Sequence, residues 1–403
     1  MRIGFTGFIV EVELFPNTLS GYVMIFLRRC MFVLSAAVLL IVTTAVGPAA
    51  AAYSESSRDT VQVLNGRVYA IAVQGDRVYL GGTFTSVRDP ATGNSVNRAR
   101  MVAVERSTGA LVQAFSPSVN DDVRAIAVSA DGNRIYLGGT FSNVNGTSRT
   151  RLAAVDRNGS VVPGWDPDAN SGVRDLVLQG DSMFVAGVFG RVDGLRRQGL
   201  AKLSAATGAV DTGWTANTSE GRAHAAALSA DGSRLYVGGP FRGVDGQPRD
   251  FLASVSTSTG NVTSWTPPEA CSTCRVLDLA VNGDDVYGAV GGPGGRTVSW
   301  DATNNVRNWA VTADGDVQAV AYHDGVVYAG GHFGPTFDHS PRHQLAAVQA
   351  SNGNLLPFSP PFTGADSPGT WALVADSDYL RVGGAFRGIQ TGPQRRYAEF
   401  PFQ

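Results

Sequence analysis

Two arginines, Arg124 and Arg174, stand at one position of a recurring apolar run, and His224, Gln318, Tyr69 and Trp371 fill the same position in other copies. Leu277 holds it in the remaining copy, and one residue later Asp175 and Asp278 replace an alanine. Guanidinium groups beside aromatic rings suit a sugar ring or an anionic group, through stacking and charge-assisted hydrogen bonds. The two carboxylates could orient hydroxyls, or serve as acid and base on a glycosidic bond. Packing within a repeat asks for similar residues at equivalent positions, so variety at one position marks either a ligand site or an exposed rim.

The elements that would carry these residues repeat along the chain from about residue 65. Each copy opens with a short run rich in alanine, such as Val123-Arg-Ala-Ile-Ala-Val128 or Val317-Gln-Ala-Val-Ala-Tyr322. A turn follows, often holding an aspartate: Asp76, Asp131, Asp181, Asp231 or Asp284. Then comes an aromatic–apolar–Gly-Gly run, as in Tyr79-Leu-Gly-Gly-Thr-Phe84 and Tyr236-Val-Gly-Gly-Pro-Phe241. A loop leads into runs such as Leu152 to Asp156, and a glycine turn leads to a closing Phe115, Trp165, Trp214, Trp265, Trp309 or Phe358. The glycine pair or its equivalent recurs at Gly81, Gly138, Ala186, Gly238, Ala289, Gly330 and Gly383.

Seven such copies, each with four short strands and about 50 residues, predict an all-β, seven-bladed β-propeller over residues 65–403. The alanine-rich run is expected to be the innermost strand, where blades converge and large side chains would clash. The variable residues then gather at one mouth of the central channel, a concave place suited to a ligand. The expected site is Tyr69, Arg124, Arg174, Asp175, His224, Asp278, Gln318 and Trp371, with ordinary rim packing as the competing reading. The last copy ends with its third run, so residues 53–64 are expected to supply the missing strand and close the ring. Without closure two sheet edges would lie open.

The pattern Val-Tyr-Leu-Gly-Gly-x-Phe…Val-x-Gly-x-x-Arg-x-x-Leu-Ala-Ala-Val-Asp…Gly…Trp resembles the delta-60-repeat β-propeller proteins secreted by actinomycetes and related bacteria. It is clearest over residues 135–165, 184–214 and 235–265. The fifth copy lacks the Val-x-Gly-x-x-Arg loop, and the seventh has Arg381 where the aromatic belongs. The resemblance implies a propeller and an extracellular setting, and brings no established activity. A likeness to the docking motif of quinoprotein dehydrogenases is set aside. The six residues from Gly159 to Trp165 make too long a gap, so no cofactor is expected.

Residues 1–52 read as a secretory signal peptide. Arg28 and Arg29 precede an apolar run from Met31 to Val46, and Ala49 to Ala52 offer small residues for cleavage. Glu11, Glu13 and Pro16 are foreign to such a signal, so translation is read as starting at Met24 or Met31. The apolar run is short for a membrane span, so none is expected after cleavage. With 32 Lys plus Arg against 34 Asp plus Glu and no basic stripe, nucleic acid is excluded as a partner.

Cys271 and Cys274 are expected to form a small loop disulfide in an exported chain. Arg98, Arg149, Arg197, Arg249 and Arg342 recur three residues before the third run, which favours a structural role in every blade. His332, Asp338, His339 and His343 match no trusted metal spacing, and no metal is expected. No G-x-S-x-G or H-E-x-x-H motif is present. The functional expectation is a secreted, monomeric, non-catalytic module that recognises a glycan or envelope protein. A secreted polysaccharide lyase or hydrolase, working through Asp175, Asp278, His224 and the arginines, is the alternative.

Overall fold

The computed structural model describes residues 53–363, 369–390 and 392–403. The expected signal peptide and its cleavage point at Ala51–Ala52 lie outside them. Among the described residues the chain is all-β, and its one helical element is the short 3-10 turn Ser219–Gly221.

Among the described residues seven antiparallel sheets follow one another in chain order, with six smaller sheets formed by the connecting segments. Sheet 1 pairs Val68–Gln74, Arg77–Gly82 and Met101–Glu105, and sheet 2 pairs Val123–Val128, Arg134–Gly139 and Leu152–Asp156. Sheet 3 holds Val173–Gln179, Ser182–Gly187 and Leu200–Ser204; sheet 4 holds Ala225–Leu228, Arg234–Gly238 and Leu252–Ser256. Sheet 5 has four strands, Arg275–Asn282, Asp285–Gly291, Arg296–Asp301 and Arg307–Thr312. Sheet 6 holds Val317–His323, Val326–Gly331 and Leu345–Gln349, and sheet 7 holds Thr370–Ala375, Tyr379–Gly384 and Tyr397–Pro401. The first strand of each sheet lies against the first strand of the next, and that of sheet 7 lies against that of sheet 1. In sheets 1, 2 and 6 alanine at the third and fifth positions of these strands allows the approach.

The expected fourth strand forms as a regular strand only in sheet 5 among the described residues. Elsewhere it shrinks to one bridge, as in Val104–Leu111, Val155–Val161, Leu203–Val210, Val255–Val262 and Val348–Leu355. The closing aromatic replaces the lost ladder. Trp165, Trp214, Trp265 and Trp309 each donate the indole N–H to a backbone carbonyl near the end of the following sheet's third strand. Phe115, Trp165, Trp214 and Trp265 also meet the second-strand aromatic of their own sheet edge-on, at 5.0–5.6 Å between ring centres. Sheet 5 lacks the hairpin loop between its second and third strands, and there the outer strand grows to full length.

The recurring arginines hold the loops. Each of Arg98, Arg149, Arg197, Arg249 and Arg342 donates to the carbonyl of the residue before it and to a carbonyl on the segment leading to the closing aromatic. The expected structural role is what their geometry performs.

The first strands share a β-bulge. Registers jump from Val68 to Ala70, Val123 to Ala125, Val173 to Asp175, Val276 to Asp278, Val317 to Ala319 and Thr370 to Ala372. The skipped residues are Tyr69, Arg124, Arg174, Leu277, Gln318 and Trp371, and His224 occupies the matching place at the start of sheet 4. A bulge leaves its extra residue out of the ladder and re-aims the side chain. The second glycine of each pair makes room for it: a Cβ at Gly82, Gly139 or Gly331 would overlap the backbone oxygen of Arg67, Asp122 or Asp316.

Residues 53–58 run beside the third strand of sheet 7. Tyr53 bridges Phe402, the Ser54 amide donates to Pro401 at 2.8 Å, and the Arg58 amide donates to Glu399 at 2.9 Å. Here Arg381 stands in place of the second-strand aromatic, with its side chain wholly buried. It pairs with Asp376 at 2.6 Å and with Glu399, its cross-strand partner, at 3.3 Å. Glu399 is also wholly buried, and takes Arg58 as a second ion-pair partner.

Candidate functional site at the channel mouth

The six bulged residues and His224 converge. Tyr69, Arg124, Arg174, His224, Leu277, Gln318 and Trp371, with Arg275 and Asp316, line a cavity of about 290 Å³. A smaller cavity of about 180 Å³ shares the bulged residues and adds Asp175 and Asp278. All eight residues expected from the sequence are therefore brought together around these two adjoining cavities.

Charge is unevenly matched around this ring. Arg124 pairs with Asp122 at 2.7 Å, and Arg275 pairs with Asp316 at 3.2 Å. Arg174 has no ion pair or side-chain hydrogen bond among the described residues. Burial, followed by the neighbouring Arg124, pushes its pKa below the usual arginine value. Burial, and then Arg174, Arg275 and Arg222, pushes His224 down to about 4, so its ring is neutral at pH 7.

The other side of the mouth is aromatic. Tyr69 meets Trp371 edge-on at 5.3 Å, and His332 meets Trp371 edge-on at 5.0 Å. Arg124 lies 4.7 Å from the Tyr69 ring centre, and Arg67 lies 5.7 Å from that of Trp371. The indole N–H of Trp371 and the side-chain oxygen of Gln318 are buried without a hydrogen-bond partner.

Asp175 and Asp278 are fully buried. Asp175 accepts from its neighbour Leu176 at 2.8 Å and from Ala226 of sheet 4 at 2.8 Å. Asp278 accepts from Leu279 at 2.8 Å and from Val320 of sheet 6 at 2.9 Å. Burial raises Asp175 to about 6 against the pull of those two amides. Burial raises Asp278 to about 7, with Asp175 adding repulsion. Each aspartate ties its own first strand to that of the following sheet.

Arg275, Asp316, Arg67 and His332 were not among the residues expected at the site. The first three belong to a second ring, two residues before each bulge: Arg67, Asp122, Gly172, Arg222, Arg275, Asp316 and Gly369. The signal that could have found it is the same broken symmetry, one step outward. Cys271 and Cys274 lie in the loop before sheet 5 with Cα atoms 5.5 Å apart, a span that a disulfide bridges. Among the described residues, no cluster of three or more His, Cys, Asp or Glu is arranged to hold a metal ion.

Residues 133–161 match the model of a β-propeller domain of unknown function, DUF5122. The chain is similar in fold to the crystal structure of the computationally designed Ika8 protein. The TM-score is 0.51 at 14% identity, over 85% of this chain and all of that one. Curated proteins give no match. The likeness to Ika8 concerns fold alone, and with the family model it agrees with an all-β fold of the β-propeller kind.

Proposed function

We propose that the chain is a secreted, seven-bladed propeller of the delta-60-repeat kind that binds an extracellular glycan at the mouth of its channel. Seven sheets in cyclic contact support the blade number, and the bonds of residues 53–58 along Tyr397–Pro401 support closure by the N-terminal segment. A basic–apolar–alanine order in residues 1–52 supports export. Within an exported chain Cys271 and Cys274 form a disulfide.

The observation that carries the binding reading is a set of unmet polar groups around one cavity: the Trp371 indole N–H, the Gln318 oxygen and the Arg174 Nε–H. Buried polar groups without partners cost free energy unless something satisfies them. A sugar hydroxyl both donates and accepts, and a ring face packs against an indole. The lyase or hydrolase alternative has weaker support, because both oxygens of Asp175 and of Asp278 already accept backbone amides.

A glycan array probed with the mature protein tests the reading. Binding to at least one glycan is expected, with loss in an Arg124→Ala, Arg174→Ala, Trp371→Ala triple variant that keeps its β-sheet circular dichroism. Undiminished binding by that folded variant would put the site elsewhere on the molecule.

A further inference from the structure

We propose that the glycan recognised at the channel mouth is acidic, its carboxylate, sulfate or phosphate held by Arg174 while its ring lies against Trp371. This rests on the binding reading above and names the class of ligand.

Arg124, Arg174 and Arg275 line the cavity from sheets 2, 3 and 5, and two of these three are already answered. Asp122 stands two residues before Arg124, and Asp316 of the next sheet answers Arg275. The residue two before Arg174 is Gly172, so the ring that supplies the acid for Arg124 supplies none for Arg174. Arginine stays protonated throughout the physiological range. A half-buried guanidinium with no counter-charge is costly, and an oxyanion offered in the fork geometry relieves that cost. His224, the next residue round the ring, is neutral at pH 7 and adds a hydrogen-bonding group without cancelling the charge.

The aromatic wall sits across from this cation. Trp371 and Tyr69 line the same cavity as Arg174, and Gln318 stands between Leu277 and Trp371 in ring order. The ligand is therefore two-sided: an anionic group at one edge, and a flat polyhydroxylated ring whose hydroxyls meet the Trp371 N–H and the Gln318 oxygen. A volume of about 290 Å³ is at the small end of ligand sites, which fits one terminal sugar.

Titration calorimetry on the full mature chain, at low ionic strength, tests this with paired probes. Glucuronate-terminated, 6-sulfated and 6-phosphorylated oligosaccharides are each compared with the neutral glucose-terminated parent. The acidic member of at least one pair should bind about ten-fold or more tightly than its neutral parent, about one charge-assisted hydrogen bond's difference. The pair that shows it identifies the oxyanion. Arg174→Gln should bring that ratio close to one by weakening the acidic probe far more than its neutral parent, and Trp371→Ala should weaken both members together. Equal binding of acidic and neutral probes overturns the inference and leaves glycan binding intact. An acidic preference that survives Arg174→Gln overturns the assignment to Arg174. Binding of none of the probes, with an empty glycan array, overturns both.

Discussion

Asp175 and Asp278 set a pH dependence that can be read at single residues. Burial raises their pKa values to about 6 and about 7, above the usual carboxylate value of about 4. The folded state therefore binds protons more tightly than the unfolded state. Their contribution is greatest below pH ~4 and declines as pH rises to about 7. The size is on the order of a few kcal/mol, since each pKa unit is worth about 1.4 kcal/mol. His224 and His332, both lowered chiefly by burial, act in the opposite sense below about pH 6.5. The clean readout is therefore the difference between parent and variant. Five sheets carry alanine at this position, Ala70, Ala125, Ala225, Ala319 and Ala372, so Asp→Ala restores what the neighbours already tolerate. The Asp175→Ala, Asp278→Ala double variant should be more stable than the parent at pH 8, with the gain shrinking toward pH 5. Urea midpoints that differ by the same amount at both pH values would show that burial of charge is not what these residues contribute.

At the scale of strands, the first glycine of each pair exists for the neighbouring sheet. A Cβ at Gly81, Gly138 or Gly238 would press into the side chain of Val123, Val173 or Val276, at the start of the next sheet's first strand. Sheet 3 carries Ala186 instead, and the residue at the matching place in sheet 4 is Ala223, with both buried in one cluster. Small faces valine, and alanine faces alanine. Gly138→Ala should then cost about 1–3 kcal/mol through overpacking, and Val173→Ala should cost its own lost burial. Together they should cost clearly less than their sum, because the second change removes the obstacle met by the first. Strict additivity in a double-mutant cycle would mean the two side chains do not share space. This complementarity explains how much was legible in the sequence. Alanine, glycine pairs and closing aromatics recur because every sheet meets its neighbours in the same way, and recurrence is visible in one chain. The bulge was not legible, since it changes pairing and leaves composition alone. It is what turns the variable residues toward one cavity, so the site was found by its variety and its geometry was not. The outer ring of Arg67, Asp122, Arg275 and Asp316 escaped for a related reason: its residues precede the apolar run and look like loop.

In the closed ring proposed above, sheet 7 is the one whose core differs in kind. Five of the other six sheets set an aromatic on the second strand opposite a small residue on the third, as in Tyr79–Ala103, Tyr136–Ala154 and Tyr328–Ala347, and sheet 3 sets Phe184 opposite Lys202. Sheet 7 sets Arg381 opposite Glu399, and Arg58 joins them from the N-terminal segment. An apolar pair would hold sheet 7 together equally well; what it would lack is a buried carboxylate that Arg58 reaches from the N-terminal segment. Buried ion pairs are weak stabilisers when compared with apolar packing, yet removing one member strands the rest. Glu399→Ala should therefore cost about 3–5 kcal/mol, and adding Arg381→Tyr should recover most of it by recreating the pair used elsewhere. The global consequence follows from closure. A linear array of repeats can fray at its ends, whereas a ring that opens exposes two sheet edges at once and deprives sheets 1 and 7 of a neighbour. Loss of Glu399 should thus lower the melting of the whole molecule as one transition. Trp165 and Trp214, buried around sheets 2 to 4 and far along the ring from the closure, are the reporters. Their fluorescence transition should shift down together with hydrogen-exchange protection at Ser54 and Arg58. If those tryptophans melt as in the parent while the amides of 53–58 exchange freely, the ring is a chain of independent sheets and the clasp holds only its own strand.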